Sequence, residues 1–267
     1  MQKNTDRRMP PNVIGLIPCA GQANRLPPLP CSKEIYPLGF ATGNSDHPIR
    51  SRLACDSLLG HLRRASITDA FLVLREGKWD IPACLGDGSS RGMHFAYLMM
   101  GLPFGVPYTV NQAFPFIQNR MVALGFPDIL FDSDNAFQRL VDRQALTHAD
   151  LVVGYFPADR PDKCDMIAVS AEGRLEQIVI KPQQTDLIFT WGIALWTPAF
   201  SAFLNEFLRT HQEIAADADE LFLGDVFRAA IESGMHADAV QVSDEPYLDI
   251  GTSDDLQKAI CRVANNC

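Results

Sequence analysis

Residues 19–39, CAGQANRLPPLPCSKEIYPLG, directly follow Val13–Ile17, a short apolar run that is typical of a buried strand. The glycine and prolines at the start of this stretch exclude regular secondary structure there. Gly21 lets backbone amides approach an anion closely, and Arg25 and Lys33 offer positive charge to phosphate oxygens. Neither G-x-x-x-x-G-K-[ST] nor G-x-G-x-x-G is present. On spacing alone, a phosphate-binding loop and an ordinary proline-rich connection are equally good interpretations.

Apolar periodicity along the rest of the chain indicates alternating strands and helices. A helix over 49–65 and a strand over 70–74 would make the opening a βαβ unit. Further strands are predicted at 93–98, 121–126, 151–156, 165–170, 174–180, 188–196 and 237–242, with helices at 109–119, 136–148, 198–211, 219–233 and 253–264. The sequence thus predicts a flexible tail (1–11) and one three-layer α/β domain (12–267) with a mostly parallel central sheet and some antiparallel strands in its second half.

Ligands bind such sheets beyond the carboxyl ends of the strands. Three of these ends carry polar side chains: the loop after Ile17, the Pro127-Asp128 turn and Asp249. Because strand ends at one edge converge, Asp128 and Asp249 are expected to lie close together although they are far apart in sequence. Trp191 and Trp196, five residues apart on one predicted strand, are expected to face opposite sides of the sheet.

Composition indicates a globular protein of the cytoplasm. Of 267 residues, 47% are hydrophobic and 21% are charged, yet no apolar run approaches the roughly 20 residues of a membrane span. The seven cysteines and six histidines show no metal-binding spacing. A net charge of −9 disfavours general nucleic-acid binding, although residues 1–65 hold nine basic and only four acidic residues. We therefore expect neither a membrane nor a nucleic-acid partner. The basic first quarter of the chain either holds a phosphorylated ligand or forms a solvated surface.

The amino-acid sequence of the loop resembles the signature of the sugar-phosphate nucleotidyltransferases, A-G-G-x-G-T-R-L-x-P followed by S-K and P-[IL]. The positions that match in register are Gly21, Arg25, Leu26, Pro28, Ser32, Lys33, Pro37 and Leu38. Later family motifs are matched in the same order, by LGDG at 85–88 with Gly92, Gly105, FPD at 126–128, IKP at 180–182, Gly192, and LDIGT at 248–252 with DL at 255–256. The resemblance spans residue 13 to about residue 260 and implies the Rossmann-like fold of nucleotide-diphospho-sugar transferases.

This resemblance implies a reaction in which a sugar-1-phosphate and a nucleoside triphosphate give an NDP-sugar and pyrophosphate. Arg25 and Lys33 would be catalytic at the triphosphate, and Asp128 and Asp249 would hold Mg²⁺, which prefers oxygen ligands. The remaining assignments are Ala20, Gly21, Met100 and Gly105 for the nucleotide and Asp165, Lys181 and Gly192 for the sugar phosphate. The sugar and the base stay open, and a homo-oligomer is compatible with the resemblance.

Several positions depart from the family pattern. Ala20 and Ala23 replace loop glycines, and Met100 stands near a base-reading glutamine, whose paired hydrogen bonds a methionine cannot make. Asp165 replaces a glycine that faces the sugar, and Ile180 replaces a glutamate that contacts it. The charges for catalysis match while the positions for specificity do not, which favours either an unfamiliar pair of substrates or a degenerate relative.

Two other functions remain open. Asp132-Ser133-Asp134 is a D-x-D sequence, the metal motif of glycosyltransferases with a related fold. A protein that senses a nucleotide or sugar phosphate without catalysis is the third interpretation, and the alanines at positions 20 and 23 motivate it.

Overall fold

The computed structural model describes residues 12–41, 50–101, 105–211 and 220–265, so the predicted tail, 1–11, lies outside the described residues. The strands are β1 (Val13–Pro18), β2 (Pro37–Ala41), β3 (Arg50–Leu53), β4 (Asp69–Arg75), β5 (His94–Met100), β6 (Met121–Leu124), β7 (Ile129–Leu130), β8 (Leu151–Pro157), β9 (Met166–Val169), β10 (Leu175–Val179), β11 (Phe189–Trp196), β12 (Ala237–Gln241) and β13 (Leu248–Asp249). The helices are α1 (Asp56–Arg64), α2 (Asp80–Leu85), α3 (Val106–Asn111), α4 (Phe114–Ile117), α5 (Ala136–Thr147), α6 (Pro198–His211), α7 (Leu223–Glu232) and α8 (Ser253–Asn265). None of the helices in these ranges is long and apolar enough to cross a membrane.

Within the described ranges, a nine-stranded sheet forms the middle layer of the domain. Its first half is parallel: β1 lies between β4 and β6, and β5 follows β4. Its second half is built on β11, which runs antiparallel to β6, β8 and β9, while β12 pairs in parallel with β8. Helices α1 and α5 pack on one face, and α3, α4, α6 and α7 pack on the other. The predicted α/β layering and the βαβ opening are therefore confirmed.

The predicted helix at 49–65 is wrong in its first part. Arg50–Leu53 is a strand that pairs antiparallel with β2, and the helix begins only at Asp56, whose side chain accepts a hydrogen bond from the Leu53 amide at 2.9 Å. The leucine at position 53 suits either pattern, since it is buried below a strand as readily as below a helix. The predicted helix at 109–119 is divided into α3 and α4, because Pro115 cannot continue the hydrogen bonding of a helix and instead lies in the first turn of α4.

The two tryptophans of β11 point to the same side of the sheet, contrary to expectation. The pairing of β11 with β8 shifts by one residue between Trp191 and Ile193, so Gly192 forms a bulge that reverses the alternation of side chains. Trp191 and Trp196 consequently belong to one apolar cluster, together with Phe200.

The carboxyl end of β1 begins the loop that carries most of the predicted site. The Cys19 amide donates to the Val73 carbonyl at 2.8 Å, and the chain then turns at Ala23, whose carbonyl accepts from the Leu26 amide at 3.0 Å. Ala23 has φ +56°, a left-handed conformation that costs a residue with a β-carbon about 1 kcal/mol. The alanine at position 20 is different, because it is buried and its φ is not positive.

Opposite effects on stability are expected when glycine is placed at these two positions. Ala23→Gly should raise the free energy of unfolding by about 0.5–1 kcal/mol, because it relieves the left-handed strain. Ala20→Gly should lower it by about 1–2 kcal/mol, because it removes a buried methyl group and gives the unfolded chain more freedom. Urea unfolding of the two variants checks this expectation. A loss of stability in Ala23→Gly would contradict the strained left-handed conformation of Ala23.

Candidate active site

A polar cavity of about 380 Å³, the large cavity, lies at the carboxyl edge of the sheet. It brings together five of the residues predicted from sequence, namely Ala20, Gly21, Lys33, Gly105 and Asp128. Backbone from the β1 loop forms one wall, and the start of α3 forms the opposite wall. Gly105 is left-handed at φ +110°, and a β-carbon there would come within 2.6 Å of the Leu221 carbonyl oxygen. The backbone can therefore approach this closely only with glycine at position 105.

Lys33 lies on a short 3-10 turn, Lys33–Ile35, that is held against the start of α2. Asp80 accepts two hydrogen bonds from Ser32, from the amide at 2.6 Å and from the hydroxyl at 2.8 Å. On the other side of the turn, Lys78 donates to the buried carboxylate of Glu34. Because these contacts leave the 3-10 turn little freedom, the Lys33 side chain is directed towards the cavity floor.

The Lys33 ammonium forms an ion pair with Asp128, and only 13% of the Lys33 side chain is exposed. Burial lowers the pKa of Lys33, but the charge and hydrogen bond of Asp128 and the charge of Asp249 outweigh burial, so the pKa is raised. Lys33 is therefore a largely buried, paired cation and not an exposed loop charge.

Asp249 reaches Asp128 by a different route from the one expected. It lies on β13, which forms a two-stranded ribbon with β7 and is not part of the main sheet. The Ile250 amide donates to the Asp128 carbonyl at 2.9 Å, which joins the two aspartate segments. Burial raises the pKa of Asp249 to about 6, and the nearby charge of Asp128 adds to the effect, while Lys33 and Arg25 oppose it. The two carboxylates therefore sense each other's charge.

Arg25 is exposed at the mouth of this cluster. Its Nη2 atom would lie 3.0 Å from a β-carbon at Gly251, which follows Asp249 closely in the chain. The arginine thus lies near Asp249, and its charge lowers the pKa of that carboxyl group.

The predicted metal ligands suit a hard cation in their chemistry. Asp128 and Asp249 supply carboxylate oxygens, and the repulsion between them is the kind that a divalent cation relieves. Among the described residues, no group of three or more His, Cys, Asp or Glu side chains gathers in a way that could hold a metal ion. A cation here would need further oxygen ligands from phosphate or water, as Mg²⁺ usually has.

The structure does not place Met100 in the cavity wall. Its side chain is buried in the core, and its sulfur accepts a hydrogen bond from the Thr109 hydroxyl at 3.2 Å. Thr109 does line the cavity, so Met100 lies one layer below the surface that a nucleotide could touch.

The three residues predicted for the sugar phosphate lie apart from this cavity, beside its Asp249 end. Asp165 accepts from the Trp191 indole at 3.4 Å, and burial raises its pKa to about 6, with Lys181 opposing the rise. Lys181 is left-handed at φ +39°, and its ammonium lies 3.6 Å from the centre of the Phe222 ring. Gly192, in the bulge, would carry a β-carbon 3.2 Å from Tyr247, which lines a small cavity of about 30 Å³ next to Asp249.

Sequence reasoning missed two acidic residues of the large cavity, Glu34 and Glu220. Glu34 is 2% exposed, and its Oε2 atom has no hydrogen-bond partner in the part of the chain that the structure describes. Burial raises its pKa, and the charge and hydrogen bond of Lys78 oppose this. Glu34 could have been identified from its position directly after Lys33, whereas Glu220 is far in sequence from every motif.

The D-x-D segment does not face this cavity. Asp132 pairs with Arg262 of α8, with an Oδ2–Nη2 distance of 2.6 Å, and borders a separate cavity of only about 20 Å³. Asp134 is exposed at the surface. The glycosyltransferase interpretation therefore finds no support in the geometry.

Comparison with known proteins shows what this chain is similar to. A relative, the low-salt glycan biosynthesis nucleotidyltransferase Agl11 of Haloferax volcanii, is 24% identical over 220 residues, which are 79% of this chain and 57% of that protein. The chain thus spans little more than half the length of this relative. A crystal structure from Bacillus anthracis, described as a glucose-1-phosphate thymidylyltransferase in complex with sucrose, superposes with a TM-score of 0.75 at 19% identity and covers 94% of both chains, which shows a shared fold.

The family model of the nucleotidyl transferases matches residues 14–266, nearly the whole chain. This protein therefore belongs to the nucleotidyl transferase family.

Proposed function

We propose that the protein is a sugar-1-phosphate nucleotidyltransferase that requires a divalent cation such as Mg²⁺, with residues 12–267 as its catalytic domain. The observation that carries the proposal is the Lys33–Asp128 ion pair beside Asp249, at the floor of a cavity walled by the β1 loop. Family membership supports nucleotidyl transfer, and a sugar phosphate as the acceptor is the more specific part of the proposal. The proposal keeps the cytoplasmic location expected from the scattered cysteines.

In the proposed reaction, a phosphate oxygen of the sugar-1-phosphate attacks the α-phosphorus of the nucleoside triphosphate. The new P–O bond forms as the bond between the α-phosphorus and its bridging oxygen breaks, and pyrophosphate leaves with that electron pair. Such a transfer depends on positioning and on neutralising charge more than on covalent help from the protein. A cation bound by Asp128 and Asp249 would supply neutralisation at the transferred phosphate.

The side chains of the chain itself have separate tasks in this proposal. Lys33, freed from Asp128 when a cation takes its place, and Arg25 would both donate to the triphosphate. Glu34 and the backbone of Gly105 would border the nucleoside. Lys181 and Asp165 would hold the sugar phosphate at the Asp249 end of the site.

A screen for pyrophosphate release tests the reaction directly. The five common triphosphates ATP, GTP, CTP, UTP and dTTP are each combined with a panel of sugar-1-phosphates in the presence of Mg²⁺. Metal-dependent release that requires both substrates supports the proposal. Nucleotide binding with no release under any combination would contradict it and favour the non-catalytic sensor.

The same screen should show a moderate preference among bases. Because Met100 is buried under Thr109, no side-chain amide at this position reads the base edge. We therefore expect the favoured triphosphate to exceed the others by less than about 10³-fold, since larger discrimination needs dedicated hydrogen bonds. A larger preference for dTTP over every other triphosphate would contradict this expectation, because it would require a group that reads the base edge through hydrogen bonds.

Replacing either basic side chain of the site, Arg25 or Lys33, should slow turnover strongly. Arg25→Ala and Lys33→Ala are each expected to lower turnover by about 10²-fold or more, the usual effect of losing one preorganised charge donor. Arg25→Ala should leave stability unchanged, because the side chain is exposed, whereas Lys33→Ala leaves Asp128 without its partner and should also destabilise the fold. The control is Arg209→Ala on α6, a surface arginine paired only with Glu206 among the described residues. Turnover within about twofold of the wild type in Arg25→Ala would remove that residue from the site.

A further inference from the structure

A second cleft, of about 490 Å³, lies on the far side of the β1 loop. Gly21, Gln22, Asn24 and Lys33 line both this cleft and the large cavity, so the loop is the wall that the two share. The cleft continues along the prolines of the loop to the end of β4 and the start of α2. A ligand that crosses the loop at Gly21 could therefore occupy both spaces at once.

The two spaces differ in the sign of their charge. The charged residues that line the large cavity are Lys33, Glu34, Asp128 and Glu220, so acidic groups predominate. Those that line the second cleft are Lys33, Arg75, Lys78 and Asp80, so basic groups predominate. An anionic ligand is favoured on the basic side of the loop, while the acidic side needs a cation or a neutral group.

The basic groups of the second cleft are not equally available. Lys78 is bound to Glu34, and the carboxylate of Asp80 accepts two hydrogen bonds from Ser32. Arg75 forms no ion pair with any described carboxylate, and its one side-chain hydrogen bond to a described residue is a long one, 3.3 Å, to the adjacent Glu76 carbonyl. Its Nε atom is buried without a hydrogen-bond partner among the described residues. The terminal amino groups of Arg75 therefore keep donor capacity that no described residue uses, and an anion in the cleft could accept from them.

Arg75 also lies at the carboxyl edge of the sheet. It is the last residue of β4, the strand that pairs in parallel with β1, so the carboxyl ends of both strands open onto this cleft. An arginine fork can donate to two phosphate oxygens at once.

We propose that the second cleft binds the β- and γ-phosphates of the nucleotide, and then the pyrophosphate product, with Arg75 as the residue that holds them. The inference rests on the proposed function, in which the α-phosphate stays with the nucleoside and the two outer phosphates leave together. The loop between the cavities then separates the part of the nucleotide that is transferred from the part that leaves.

Binding of inorganic pyrophosphate, measured by calorimetry in the presence of Mg²⁺, tests this without any need for turnover. Arg75→Met should weaken pyrophosphate binding by about 10-fold or more, as expected for loss of a charged hydrogen bond. The matched control is Arg120→Met. Arg120 also has a buried Nε without a described partner, but it directly precedes β6 and so lies at the opposite edge of the sheet. Binding of UMP, CMP, AMP, GMP and dTMP to Arg75→Met should stay within about twofold of the wild type.

The possible outcomes separate the two proposals. Pyrophosphate binding that is equal in Arg75→Met and the wild type, or absent from the wild type, overturns the inference about the cleft. An equal loss of monophosphate binding overturns it too, because it would place Arg75 at the α-phosphate. If Arg75→Met alone loses pyrophosphate while the wild type transfers no nucleotide in the screen, the cleft stands as an anion site and the proposed reaction fails.

Discussion

The ion pair between Lys33 and Asp128 is the interaction on which the site depends. It joins the turn that ends the β1 loop to the segment that follows β6, and it lies next to Asp249 on the β7–β13 ribbon. Without the lysine, two partly buried carboxylates would face each other in a medium that screens them poorly. In the proposed reaction, a metal ion and phosphates would take over the balancing of these charges from the ammonium.

This arrangement has a consequence for stability. The pKa of Asp249 is raised to about 6, chiefly by burial and then by Asp128, so the charged form is less favourable in the folded than in the unfolded chain. Such a carboxyl group adds stability at acidic pH and withdraws it as pH rises through the folded pKa. Carboxylates with strongly raised pKa values cluster at functional sites, which supports a role for Asp249 in the proposed reaction.

Much of this site was predictable from sequence because its residues follow strands. The β1 loop with Lys33 and the turn with Asp128 come directly after apolar runs, and both lie at the edge where ligands bind α/β sheets. Asp249 was expected at the same edge as the end of a strand of the main sheet. It lies instead on β13, which pairs with β7 and is too short, at two residues, to show a periodic pattern. Glu220 could not have been found, since only the close approach of Gly105 to Leu221 brings its segment to the cavity.

Other errors came from patterns that are ambiguous in the local sequence. The leucine at position 53 fits a helical and an extended period equally, and the pairing of β3 with β2 decides between them. The bulge at Gly192 depends on the register with β8, so the orientation of Trp191 was not contained in β11 alone. In each case, contacts distant in sequence outweighed the local periodicity.

We propose, as the central hypothesis, that Asp249 is retained for catalysis at the expense of stability. It is tested most directly by measuring turnover and the free energy of unfolding of Asp249→Asn in one preparation at pH 7, with Asp132→Asn as the control. We predict that Asp249→Asn loses turnover by about 10²-fold or more while its free energy of unfolding is unchanged or higher, and that Asp132→Asn keeps its turnover. Full turnover in Asp249→Asn, or a loss of activity in Asp132→Asn instead, would contradict the account.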